Sequence, residues 1–135
     1  GQALNAGQTA TPLPGMLGTV ASPYSFAFFD RNANIPGVDT LYVADDRATA
    51  SGGGVQKWTF DGTNWNLITT FINGVTAGSR GLAGTITGNN VTLVATTTNN
   101  RVVVYVDTGV LAPTGTIVAT AALNTAYRGI AFSPK

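Results

Sequence analysis

Arg80-Gly81-Leu82-Ala83 decides the fold, because it returns as Arg128-Gly129-Ile130-Ala131 about 50 residues later. A more diverged copy, Tyr24-Ser25-Phe26-Ala27-Phe28, precedes it by a similar interval. Each copy is a short apolar stretch with the character of a strand. Repetition at a near-constant interval marks one structural unit used several times.

The segments between the copies complete the unit. After Tyr24–Phe29 come apolar or alternating runs at 40–44, 55–60 and 65–71, separated by turn-rich segments. After Leu82–Thr87 come runs at 91–95, 101–106 and 116–121. Val55-Gln56-Lys57-Trp58-Thr59-Phe60 alternates with period two, as a half-buried strand does. Arg101-Val102-Val103-Val104-Tyr105-Val106 is rich in β-branched residues, which suit a pleated sheet. Asp61-Gly62 and Gly88-Asn89-Asn90 are hairpin signals. Lys57-Trp58-Thr59-Phe60-Asp61 and Val103-Val104-Tyr105-Val106-Asp107 match, and both end in Asp. No stretch carries helical period with caps.

Four short strands per unit at this period predict an all-β fold of propeller blades. A single blade has two apolar faces and cannot cover both, whereas stacking blades about an axis does. The competing architecture is a plain β-sandwich. The expected division is outer strand material of a preceding blade in 1–21, one blade in 22–78 and a second in 79–126. The inner strand of a third, split blade follows in 127–135.

Composition narrows function by exclusion. Charged residues make up 10% of the 135 residues, against roughly 25% in an average globular chain. Seven basic and six acidic residues nearly cancel, so no field steers the chain toward nucleic acid or an anionic membrane. No apolar run approaches the roughly 20 residues of a membrane-spanning helix. No signal peptide opens the sequence. The chain has no His, Cys or Glu. That composition removes Ser-His-Asp and Cys-His catalysis, ordinary zinc ligation and paired-Glu glycoside hydrolysis. Asp-based chemistry, oxygen-ligated metal and a Lys nucleophile stay open.

Ser22-Pro23-Tyr24-Ser25-Phe26-Ala27-Phe28-Phe29-Asp30-Arg31, running on to Gly37-Val38-Asp39-Thr40-Leu41-Tyr42-Val43-Ala44-Asp45-Asp46, resembles the C-terminal part of a group of predicted secreted bacterial β-propeller-like proteins. Gly53-Gly54-Val55-Gln56-Lys57-Trp58, the stretch Asn124 to Pro134 and Gly7 to Gly15 share the resemblance. It implies a secreted, extracellular setting and blades preceding this region, and it transfers no catalytic motif. Two whole blades cannot close a ring, since propellers have 4–8. Closure is therefore expected from association. Tyr127 to Ser133 would join outer strands from residues 8–21 of the same chain or a neighbouring one. The expected partners are two or three copies of the chain, or the remainder of a longer one.

Several residues have both a chemical and a structural reading. Asp39, Asp45 and Asp46 form an acidic group that calcium would suit, although the spacing departs from an EF-hand loop and such Asp residues commonly bond turns. No cofactor is therefore expected. Arg80 and Arg128 precede inner strands, where they would line a channel and bind an anion or brace a neighbouring blade. Trp58 and Trp65 flank the Asp61 hairpin, where they would stack on a sugar or pack as a cross-strand pair. Asn90-Val91-Thr92 fits an N-glycosylation acceptor but also a turn. The leading functional expectation is a non-catalytic extracellular propeller module, a scaffold or interaction surface. A glycan-binding, lectin-like module is the alternative. A metal-assisted, Asp-dependent hydrolase comes third, because it needs several carboxylates to converge.

Overall fold

A computed structural model describes residues 7, 9–16, 21–72, 77–109 and 113–133. They form eight strands: β1 (Pro23–Phe29), β2 (Thr40–Asp45), β3 (Gly54–Phe60), β4 (Trp65–Phe71), β5 (Ser79–Thr87), β6 (Asn90–Thr97), β7 (Arg101–Asp107) and β8 (Thr116–Thr120). A single 3-10 turn, Thr49–Ser51, interrupts the β2–β3 loop. The strands make two four-stranded antiparallel sheets, each a meander in chain order: β1-β2-β3-β4 and β5-β6-β7-β8. The all-β reading and the two four-stranded units stand. Among the described residues the two sheets close no ring.

Local chemistry sets the turns. Gly88 and Asn89 link paired Thr87 and Asn90, with Gly88 at φ 58°, a two-residue hairpin that favours glycine. Asp61 accepts the Thr63 and Asn64 amides at 2.8 Å and thereby closes the β3–β4 hairpin. At the β6–β7 turn, the Thr97 hydroxyl accepts the Arg101 amide at 3.1 Å.

The sheets face each other across one core. Tyr42, Ala44, Val55 and Phe71 come from the first sheet, and Leu82, Val91, Leu93, Ala95, Val103 and Tyr105 from the second. Ala27 and Phe29 pack against this cluster. A row of rings crosses the interface: Phe29 to Tyr42 at 5.8 Å, Tyr42 to Phe71 at 6.0 Å, and Phe71 to Tyr105 at 5.7 Å. Each such side chain contributes roughly 1.5–3 kcal/mol when fully buried. The first strands of the two sheets lie side by side. Ser25 Oγ donates to the Leu82 carbonyl at 3.3 Å, and Phe29 fits over Gly84, where a Cβ would come within 2.7 Å of the ring.

Residues 125–133 depart from expectation, because Tyr127 to Ser133 forms no strand. The reason is topological. A strand exists by hydrogen bonding to a neighbour, and no neighbouring strand in the described residues offers it one. The segment nevertheless lies against β5, since a Cβ on Gly81 would stand 3.1 Å from the Gly129 Cα. Of the N-terminal 1–21, residues 1–6, 8 and 17–20 fall outside the described residues. Residues 9–16 form no strand either and lie on the first sheet's outer face, where the Trp65 amide donates to the Pro14 carbonyl at 2.9 Å.

Candidate functional site

The loops collect at two opposite rims of the paired sheets. At the rim where β1 and β5 begin, Asp45 is fully buried at the end of β2. Its carboxylate accepts the Ser22 amide (3.0 Å), the Arg47 amide (3.0 Å) and the Arg47 guanidinium (2.9 Å from both Nε and Nη2). Burial alone would raise its pKa. The Arg47 and Ser22 donors overcome that and hold it below the usual carboxylate value. Asp46 sits 3.4 Å from Arg80, whose guanidinium stands 5.5 Å from the centre of the Tyr24 ring. Arg80 is thereby joined to the loop that follows β2. Arg128 is exposed, one residue before the glycine that meets Gly81.

The opposite rim holds a denser network. Asp107, fully buried at the end of β7, accepts from Arg31 Nη1 at 2.9 Å, Lys57 Nζ at 2.6 Å and the Tyr42 hydroxyl. Its other oxygen accepts the Gly109 amide at 2.7 Å. Arg31 reaches on to the Asn89 carbonyl at 2.6 Å. Asp39 accepts the Arg31 and Asn32 amides at 2.9 and 2.7 Å and the Thr40 hydroxyl at 2.7 Å, which sets the loop that presents Arg31. Desolvation pushes the Asp107 pKa up, but Lys57, Tyr42 and the Gly109 amide outweigh it and leave it lowered. The Tyr42 hydroxyl moves the other way, raised by burial first and then by donating to the Asp107 carboxylate. Two cations therefore converge on one buried carboxylate, Asp107, and a polar cleft of about 540 Å³ opens beside them, lined by Asn32, Thr59, Phe60, Asp61 and Asn89 among others.

Asp39 and Asp45 stand just before and at the end of β2, so a strand of roughly 3.3 Å per residue separates them. The three carboxylates Asp39, Asp45 and Asp46 do not converge. Among the described residues no group of three metal-ligating side chains occurs.

Trp58 and Trp65 do come together, on the first sheet's outer face with Leu41 and Val43. They are 5% and 6% exposed, packed against Leu13, Met16 and Phe60. Trp58 Nε1 donates to Gln56 Oε1 at 3.1 Å, and Trp65 meets Phe60 and Phe28 at ring distances of 5.4 and 5.7 Å. In the ladder Trp58 stands opposite Leu67 and Trp65 opposite Phe60, so the two indoles share a face without being directly paired. Beside them runs an apolar groove of about 570 Å³, floored by Leu41, Val43 and Trp58 and walled by Leu13, Phe26 and Phe28.

Arg31, Tyr42, Lys57 and Asp107 carry no motif that marks them as a network in the sequence. One signal was available. Lys57 lies in phase with Val55 on the core-facing side of β3, and a cation in phase with core positions needs a buried carboxylate.

No protein-family model matches the chain, and neither the curated proteins nor the solved structures give a match.

Proposed function

We propose that this chain is a non-catalytic, extracellular β-propeller module that serves as a scaffold or interaction surface. The observation that carries the reading is the stacking of two meanders of identical strand order, first strand beside first strand, over one shared core. That arrangement is what consecutive blades would make. Two further points support it. Among the described residues, four ion pairs occupy seven charged side chains of the rims: Asp45 with Arg47, Asp46 with Arg80, and Asp107 with Arg31 and Lys57. The composition lacks the residue types of the commonest hydrolytic sites. The setting outside the cell rests on the sequence resemblance and the Thr- and Asn-rich, charge-poor surface.

Glycan binding is the second reading, and the polar cleft favours it. Asn32, Asp61 and Asn89 offer hydrogen-bonding groups there beside Phe60, the combination a sugar ring needs. A glycan array on the intact chain separates the two. The scaffold reading expects no saturable binding. Binding that Asn32→Ala abolishes would replace it with the lectin reading.

A further inference from the structure

We propose that the groove on the outer face of the first sheet is the dock for residues 127–133 of a second copy of this chain. The inference rests on the stacked-sheet reading and names the partner that extends the stack.

The chain already shows the packing twice. β5 lies along β1, and the segment that contains Arg128-Gly129-Ile130-Ala131 meets β5 where Gly129 faces Gly81. Leu82 points into the core, so Gly81 points away from it, toward Gly129. β5 therefore carries one copy of the recurring stretch against each face: β1, through Phe29 on Gly84, against its core face, and Gly129 against the other. The groove lies one step earlier in this series, on the face of β1 turned away from β5, where no such stretch is seated among the described residues. Phe26 is 66% exposed there and Phe28 37%. The segment that would continue the series is apolar in kind, with Tyr127 and Phe132 at 37% and 50% exposed. No charged residue lines the groove, and Arg128 is the one charge among residues 127–133.

The occupant cannot come from the same molecule. Groove and segment lie on the two outer faces of the stack, with both sheets between them. A second copy is required, joined head to tail, so that the contact is heterologous and either closes a ring or grows. Residues 9–16 already occupy the far side of the groove through Leu13, Met16 and the Pro14–Trp65 bond. The incoming segment would lie between them and β1. Each copy contributes two whole sheets and a part of two shared ones. Two copies then make a ring of about six, within the 4–8 of known propellers.

Complementation of two variants tests this. Phe26→Asp spoils the groove and leaves the segment. Phe132→Asp spoils the segment and leaves the groove. Both sites are at least half exposed, and near-UV circular dichroism confirms the native core, with Phe26→Ser and Phe132→Ser in reserve. In sedimentation velocity the wild type is expected to run heavier than its 13.8 kDa chain. Each variant alone should associate roughly thirtyfold or more weakly. An equimolar mixture should regain one contact and run at twice the chain mass, without growing further. A wild type that stays monomeric at every concentration overturns the proposal. So does a single variant that still associates, or a mixture that does not. Glycan binding in the array would displace the scaffold reading while leaving the docking result intact, so the two failures are distinguishable.

Discussion

Tyr42 and Tyr105 bracket the same ring, Phe71, yet their hydroxyls differ in what they meet. The Tyr42 hydroxyl donates to the buried Asp107 carboxylate, whereas the Tyr105 hydroxyl is buried without a hydrogen-bond partner among the described residues. Tyr42→Phe should therefore lower stability by about 1.5–3 kcal/mol, the worth of a hydrogen bond to a charged group. Tyr105→Phe should leave it unchanged or slightly raised. Urea midpoints of the two variants check the contrast. Acid should act on the same network. Asp107, Asp45 and Asp39 have pKa values below the ordinary carboxylate value of about 3.9. A lowered folded-state pKa gives stability that is fully present above the unfolded value and lost as pH falls through the folded one. Stability should be flat against carboxylate titration at neutral pH and fall below about pH 4. Asp107→Asn should make that fall shallower, and at pH 7 it should cost about 3–5 kcal/mol by leaving Arg31 and Lys57 unpaired in the interior. Denaturant titrations across the pH range measure both. The network was hard to read in sequence because its members lie far apart in the chain. Only the fold brings residues 31, 42 and 57 to residue 107.

Strands were the legible elements, because each advertises itself locally. Val55 to Phe60 alternates, 101–106 is β-branched, and Asp61-Gly62 and Gly88-Asn89 punctuate. The stretch at 127–133 has the same local character and yet forms no strand, since pairing is supplied by a neighbour and not by the segment itself. The contacts between loops were not legible either. Gly53 and Gly78, from the β2–β3 and β4–β5 connections, both close on the backbone carbonyl of Arg47. A Cβ would fall 1.7 Å from the Arg47 carbonyl oxygen at Gly53 and 2.3 Å from it at Gly78. Gly78→Ala should push two backbones apart and cost about 3 kcal/mol. Gly62, at φ 99° in open space, meets no neighbour, and Gly62→Ala should cost roughly 1–2 kcal/mol for its backbone conformation alone. Thermal unfolding of the pair separates collision from conformational strain.

At the scale of the molecule, two sheets share one core while their outer faces keep apolar residues in reach of water. Phe26 stands exposed on one side and Val106 and Val118 are exposed in the second sheet. The repeated stretch made this architecture legible, because a recurring unit implies a surface that recurs with it. Which rim would gather the charges was not legible, as nothing local distinguishes the turn at Asp61 from that at Asp107. The Asp107 network has one more implication. Every side chain that donates to this carboxylate belongs to the opposite sheet. Cut between residues 72 and 77, neither half could remain electrically neutral inside, and each would also lose half its hydrophobic interior. The two halves should be unfolded apart and regain native near-UV signal only when mixed, so the smallest inheritable piece of this architecture is the pair and not the single sheet.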